Sequence, residues 1–365
     1  MTPIIRSGQI VAMRLIDVAY AIDLRRADAL WTQRRRRQSV RAQLSAPPKA
    51  MAFGVPPLEL ALDPVTLEAG ICQASVRLYD FGVAAFSLRL AVRDMACGTF
   101  INLLDVVDAA VGATAAPVWA GLLATVRDSL AEALERPTVT ALEEDYLLGL
   151  VHEFDAPMLA DEVMDSIDIA RLLAGDPRRL SASSRAELLR NRFSYYEDDL
   201  VVLGWDRAFL YEPRRDTDVA DAIEVANAQL LEMRYYDELL DGELPRMYDL
   251  VEATRRTASL LAARRYAKLA RRLYGLVAEV TELTERVDNA LQVTEDVYLA
   301  RVYAAAIELF RVPPVSAAVD RKLAIIRDTY AALYSEASGG RSELLEIAIL
   351  LLIVLEVLIS LLVRH

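Results

Sequence analysis

ASVRLYDFGVAAFSLRLAV, residues Ala74 to Val92, decides the fold class. Ala74 to Tyr79 and Val83 to Val92 alternate apolar and polar positions and carry β-branched and aromatic residues, the pattern of half-buried strands. Asp80-Phe81-Gly82 between them supplies a turn, so the stretch predicts a β-hairpin. Upstream, Leu58 to Leu62 reads as another strand. Ser45 to Pro57, with Pro47, Pro48, Gly54, Pro56 and Pro57, is a connector. Ile10 to Ile22 reads as one or two opening strands, and Asp23 caps a helix that starts near Leu24 and runs into Arg34, Arg35, Arg36 and Arg37. Downstream, Pro117 to Leu134 predicts a helix with proline in its first turn. Leu147 to Phe154 returns as strand. Asp161 to Leu173 and Ser183 to Arg192 predict helices. Phe193 to Tyr211, FSYYEDDLVVLGWDRAFLY, predicts a second hairpin turning at Gly204-Trp205-Asp206. The expectation is an α+β domain over residues 1–212, a mixed sheet-and-helix unit with two strand-rich halves.

Beyond it the pattern turns helical. Asp218 to Leu240 predicts one helix, ended by Asp241-Gly242, and Pro245 opens the next. Ala262, Tyr266, Leu269, Leu273, Leu276, Val280, Leu283, Val287 and Ala290 step by four and three, a coiled-coil seam. Helix resumes from Tyr298 to Phe310 and stops near Pro313-Pro314. Val319, Leu323, Ile326, Tyr330 and Leu333 repeat the seam before Gly339-Gly340. Residues 213–340 are therefore expected to form a long antiparallel helical stalk. Residues 341–365 hold a transmembrane anchor. Its core, Leu344 to Val363, is LLEIAILLLIVLEVLISLLV, with sixteen of twenty residues Leu, Ile or Val on every side of the helix. Twenty residues rise about 30 Å, the thickness of a bilayer's hydrocarbon core. Glu346, Ile349, Ile353, Glu356 and Ser360 fall on one stripe, and a polar stripe within lipid faces another helix. Glu356 and Ser360 are thus the intramembrane polar positions, and self-association is expected through them, with a protonated, idle Glu356 as the plainer alternative.

The 54% hydrophobic composition and mean hydropathy of +0.23 are ample for a core as well as an anchor. Cys72 and Cys97 are the only cysteines, which excludes a disulfide framework and suits a reducing compartment. MTPIIRSGQIVAMRLID has no long apolar run, so no secretory signal is read at the start. The expected location is an inner membrane, single-pass, with the bulk of the chain cytoplasmic. An excess of Arg over Lys and abundant Ala point to a GC-rich bacterial genome. The net charge of −12 argues against a general nucleic-acid binder.

Chemistry is sparse. His152 and His365 are the only histidines, and no phosphate-cradling glycine motif occurs. We therefore assign no catalytic residue, no metal ligand and no cofactor. His152 reads as a core or edge histidine. The acid runs Glu143-Glu144-Asp145, Glu197-Asp198-Asp199 and Asp216, Asp218, Asp221 read as solvated loops and helix starts, with metal binding as the rival. From Ala253 to Ala278 there are seven cations and no acid. Arg264, Arg265, Lys268, Arg271 and Arg272 form either a coiled-coil flank or a docking strip for ribosome, RNA or anionic lipid.

DDLVVLGWDRAFLYEP (Asp198 to Pro213), IEVANAQLLEMRYYDELLD (Ile223 to Asp241), TERVDNALQVTEDVYLARVYAAAIELF (Thr284 to Phe310) and the run from Arg321 to Leu362 resemble the required-for-meiotic-nuclear-division family. The resemblance extends from about Val83 to the C-terminus. It implies a membrane-anchored scaffold, since eukaryotic members sit on the mitochondrial inner membrane, the vertebrate relative supports translation by tethering ribosomes, and fungal relatives bear on sporulation. No catalytic residues are established for that family, so none carry over. Trp205, Asp206, Asn227, Glu232, Arg234, Tyr235 and Asp237 form a family-like polar cluster on the hairpin and the helix after it. Arg234 is expected to pair with Asp206 or Glu232 and lock helix onto sheet, the alternative being a ligand pocket. Two functions follow as expectations. One is a non-enzymatic inner-membrane scaffold. The other is a membrane-bound hydrolase or nucleotide-handling enzyme using acids around Asp199 and Asp206. The first predicts that the intact chain stays with membranes through carbonate extraction, and that a chain ending at Arg341 is released. Recovery of the intact chain in the carbonate supernatant would sink the anchor.

Overall fold

The computed structural model describes residues 3–35, 40–41, 55–112, 116–138, 142–215 and 218–255, short pieces between 268 and 281, and 296–332. The chain divides into two units: 1–235 with 286–313, and 236–285 with 314–365. The anchor with Glu356 and Ser360, the cations Arg264 and Arg265, the Gly339-Gly340 break and most of the coiled-coil seam lie outside the described residues.

The first unit is built on β1 (Ile4–Asp17), β2 (Ala19–Ile22), β3 (Val40–Arg41), β4 (Leu58–Ala61), β5 (Val65–Leu67), β6 (Gly70–Leu78), β7 (Val83–Ala96), β8 (Leu134–Pro137), β9 (Glu143–Phe154), β10 (Arg192–Phe193), β11 (Leu200–Leu203) and β12 (Arg207–Tyr211). Ten strands form one sheet in the order β10-β11-β12-β9-β1-β7-β6-β4-β3, with β5 on β6; β2 and β8 pair separately. Every described pairing is antiparallel except β12 on β9. The hairpin read from Ala74 to Val92 is β6 and β7. Gly82 makes its turn at φ +104°, and a Cβ there would lie 1.8 Å from the Ala19 carbonyl oxygen, so only glycine fits. Both strand-rich halves feed the same sheet.

The helices are α1 (Leu24–Arg35), α2 (Cys97–Val111), α3 (Pro117–Leu130), α4 (Ala160–Ser166), α5 (Ile169–Ala174), α6 (Ala182–Leu188), α7 (Asp218–Arg255), α8 (Val297–Leu309) and α9 (Val312–Ala332). Asp23 caps α1 as expected, accepting from the backbone of Arg25 and Arg26. The single helix expected over Asp161 to Leu173 is two, because Asp168 starts a new cap and accepts from Arg171 N–H. The helix expected to reach Arg192 stops at Leu188, and Arg192 pairs as strand.

β1 is central and buried from Ile10 to Asp17. Ile10, Ala12 and Ile16 join Phe100, Leu104 and Trp119 in one apolar cluster, so α2 and α3 cover that face. Gly149 of β9 lets Phe100 and Leu104 approach to 3.1 Å of where a Cβ would stand. By the alternation of strand side chains, Val11, Met13 and Leu15 face the other way, as does Arg77 of β6, which meets Asp221 and Glu224 of α7. The start of α7 therefore lies on the opposite face, and nearly every residue from Asp221 to Met233 is buried. On the same side Phe310 packs edge-on to Tyr146, ring centroids 5.3 Å apart, and Tyr303 of α8 donates to Gln229 of α7 at 2.6 Å. Helix, sheet and helix make three layers.

The sequence reading ended the helix at Asp241-Gly242. The structure corrects this: α7 continues to Arg255 with Pro245 inside it. A proline removes one backbone donor, and its neighbours carry the helix past it. In the second unit Lys322 of α9 pairs with Asp237 and Asp241 at 2.6 and 2.7 Å, Arg272 with Glu243 at 2.8 Å, and the rings of Tyr274 and Tyr330 lie 5.9 Å apart. The unit is thus helical, and α+β with C-terminal helices describes the chain. Among the described residues no single helix is long and apolar enough to cross a membrane.

Asp17, at the end of β1, is buried with Oδ2 lacking a hydrogen-bond partner. Burial pushes its carboxyl up to about 7, against smaller pulls from Thr138 and Arg127. In the unfolded chain it ionises near 4. Folding therefore takes up a proton between these values, and stability falls as pH rises from about 4 to about 7. The loss is on the order of 4 kcal/mol. Asp17→Asn should flatten that slope in urea unfolding and exceed the parent at pH 8, with little difference at pH 4.

Candidate functional site

Three tyrosines and four carboxylates surround a hollow on the described surface. Three short segments build it. The first is the loop before β11. Both carboxylate oxygens of Asp199 turn back to accept backbone N–H groups, from Tyr195 at 2.7 Å and Tyr196 at 3.1 Å, and the Ser194 hydroxyl donates to the Tyr196 carbonyl. This folds the loop so that both tyrosines stand outward, 60% and 49% exposed, edge to face with centroids 4.6 Å apart. The second segment is the corner after β12. Glu212 is buried there, and its N–H donates to the Val151 carbonyl at 2.9 Å. Arg214 lays its guanidinium 3.6 Å from the centroid of the Tyr196 ring and reaches Asp198 at 3.4 Å. The third is the start of α8. Asp296 caps it by accepting from Tyr298 and Leu299 N–H, and the Tyr298 ring meets Tyr195 at 5.3 Å.

The cavity between them is about 180 Å³. Its walls include Tyr195, Tyr196, Tyr298, Asp199, Glu212 and Asp296, with Asp218 and Arg214 also lining it. Burial first, then the charges of Asp199, Glu212 and Asp296, push the Tyr298 phenol well above its ordinary value. Four carboxylates against one guanidinium make the hollow electronegative. A second cavity of about 360 Å³ adjoins at Pro213, lined by His152, Asp155, Asp198 and Tyr211. His152 is half-buried. Its Nδ1 lies 3.2 Å from the Glu212 carbonyl, and burial lowers its pKa. It stands near the end of β9, an interior strand of the sheet.

The polar cluster read from sequence is not one site. Trp205 is exposed at the hairpin tip. Asp206 lines a separate cavity of about 20 Å³ with Arg14, Asp108 and Asp145, where burial raises its carboxyl. Asn227 and Glu232 are buried in α7, and Asn227 donates to the Ile223 carbonyl. Tyr235 is half-buried. Asp237 belongs to the second unit, with Lys322. Arg234 does bind helix to sheet, through Glu144 rather than Asp206 or Glu232. The buried clasp lies elsewhere. Arg77 reaches Asp221 at 2.8 Å and Glu224 at 3.1 Å, and Tyr79 donates to Glu224 at 2.7 Å. Burial opposes the Arg77 charge, but Glu224 and Asp221 outweigh it and raise its pKa. Asp199 is in the aromatic cleft, so the two acids named for hydrolysis line different cavities. Of the basic strip, Lys268, Arg271 and Arg272 are exposed. Among the described residues no three potential metal ligands converge.

Sequence reasoning took FSYYEDD as hairpin and acid run and missed Tyr195, Tyr196, Glu212, Asp296 and Tyr298 as a group. Tyr195 and Tyr298 are a hundred positions apart, and adjacency was not readable. The paired tyrosines directly before three acids were the one local signal.

The family model described as "Uncharacterized protein MJ0711, N-terminal domain" matches residues 7–218. Uncharacterized protein MJ0711 of Methanocaldococcus jannaschii is 26% identical over 219 residues, 60% of this chain and 66% of that protein, a little under two thirds of its length. No solved structure matches. The matched span ends on the first residue of α7. It holds nearly all of the sheet and two of the cleft's three walls, and the α8 wall lies beyond it.

Removing Arg77 would strand two buried carboxylates. Arg77→Met should cost about 3 kcal/mol in urea unfolding. Arg234→Ala, which removes a guanidinium half in water, should cost less than about 1 kcal/mol. Equal losses would refute the ranking of the two clasps.

Proposed function

Because the chain belongs to the MJ0711 N-terminal domain family, and that family's span supplies the sheet and most of the cleft, we propose that the protein is a scaffold that docks a protein partner at Tyr195, Tyr196 and Tyr298. It holds that partner at an inner membrane through residues 344–363, with the bulk of the chain on the cytoplasmic side, and associates with itself through the stripe carrying Glu356. The resemblance to the meiotic-nuclear-division family supports the tethering part of this reading and makes a ribosome one partner to test. The basic strip, Arg264 to Arg272, adds contact with RNA or anionic lipid headgroups.

The observation that carries the docking reading is the cleft's rim. Tyr195 and Tyr196, 60% and 49% exposed, line the cavity together with Asp199, Glu212 and Asp296, and Val297, 74% exposed, lies between the lining residues Asp296 and Tyr298 in the chain. Large rigid side chains left in water beside a charged hollow are the composition of binding hot spots. The alternative, a membrane-bound hydrolase or nucleotide-handling enzyme, would work through Asp199 and Asp206. Asp199 is held by two backbone N–H groups inside the aromatic rim, and Asp206 lines another cavity, so the rim favours docking over catalysis.

A photo-crosslinking residue at Val297 should capture a discrete membrane-fraction partner. The same residue at Ile71, 70% exposed on β6, should not. In a chain also carrying Tyr195→Ala and Tyr196→Ala, the Val297 adduct should fall about tenfold. Identical adducts from both positions, or an adduct indifferent to the tyrosines, would refute docking at the cleft.

A further inference from the structure

We propose that the cleft receives the guanidinium group of an arginine side chain offered by the partner. This rests on the docking reading above and adds the chemistry of what enters.

The first argument is already in the structure. Arg214 stacks its guanidinium 3.6 Å from the centroid of Tyr196 while leaning on Asp198. The Tyr196 ring thus carries a guanidinium from its own chain at the cleft wall, and Asp198, which holds it, lies just outside the lining. Tyr195 and Tyr298 present two further rings, with centroids 5.3 Å apart. Aromatic faces attract cations, and a planar guanidinium stacks on them where a lysine ammonium cannot.

The second argument is charge. Asp199, Glu212, Asp218 and Asp296 line the hollow, and Arg214 is the one cation among its lining residues. Burial and then the charges of Asp199, Glu212 and Asp296 raise the Tyr298 phenol. An anionic ligand would enter against that field and a neutral one gains little from it, whereas a cation is drawn in. The third argument is preorganisation and size. Asp199 and Asp296 are fixed by backbone N–H groups and do not need ordering on binding. At about 180 Å³ the cavity is below the ~300–1,000 Å³ of drug-sized ligand sites and suits a single side chain. Glu212 adds a buried carboxylate to the lining, and carboxylates are the groups that guanidinium pairs with in fork geometry.

The test uses the full chain and two small probes, Nα-acetyl-arginine amide and Nα-acetyl-lysine amide, titrated by calorimetry or tyrosine resonance shifts. The arginine probe should bind at least about threefold more tightly than the lysine probe. Tyr196→Ala and Glu212→Gln should each weaken it about fivefold. Arg214→Ala, which removes the internal competitor, should tighten it. Should Glu212→Gln lower the melting temperature, Tyr195→Ala, at an exposed ring, stands in for it. Equal binding of the two probes, no binding of the arginine probe, or loss of binding in Arg214→Ala would overturn the proposal. Excess arginine probe should also erase the Val297 photo-adduct. An adduct that survives saturation leaves docking intact and removes arginine recognition. Arginine binding with every variant effect as expected, but no adduct at Val297, keeps the pocket and removes the docking partner.

Discussion

Arg77 holds the molecule's inner layers together. It stands on β6 in the layer between sheet and helix, with two carboxylates of α7 and a tyrosine hydroxyl closing round it. Nearly every residue of α7 from Asp221 to Met233 is buried. A helix so enclosed cannot leave a carboxylate unpaired, because desolvating one costs far more than any nearby contact returns. Glu224 and Asp221 therefore fix where α7 lies along the sheet and which of its faces meets it. Apolar packing alone tolerates small slides, whereas a bonded charge triad does not.

From that register the cleft follows. α7 begins directly after the corner carrying Glu212 and Arg214, and α8 packs on α7 through Tyr303 and Gln229. Setting α7 sets α8, and the first turn of α8 brings Asp296 and Tyr298 to the loop of Tyr195 and Tyr196. Three segments far apart in the chain become neighbours through one clasp. On the opposite face Arg207 plays a related part, joining Asp105 and Asp108 of α2 to β12 at 2.8 and 2.6 Å. Arg207 thus ties the start of β12 to α2 on that face. Tyr195 and Tyr196 are held by Asp199 through their backbone N–H groups, and their rings stay in water.

Much of the secondary structure was legible because it is locally encoded. Ala74 to Val92 alternates, Gly82 permits the turn, and Asp23 caps a helix within three residues of itself. Failures occurred where local signals were outvoted. Asp241-Gly242 and Pro245 are strong stops in an isolated helix, yet α7 runs through them. Asp168 broke what looked like one helix because its side chain satisfied a new N-terminus. The candidate site was legible only as fragments: an acid run, a pair of tyrosines, a hairpin. Arg234 reads as the lock from its family-like surroundings, yet its guanidinium is half in water where it meets Glu144.

The sequence by itself determined the class of the fold, the sheet-forming half and the helical half, the scarcity of histidine and cysteine chemistry, and the apolar tail. Those properties are sums over neighbouring residues, so reading along the chain suffices. Only the tertiary structure decided that β1 lies at the centre, that Arg77 rather than Arg234 is the buried clasp, and that Asp199 and Asp206 line separate cavities. It alone brought Tyr298 to Tyr195. Strand order and helix register are set by long-range burial and charge pairing, and these depend on which distant surfaces exclude water together.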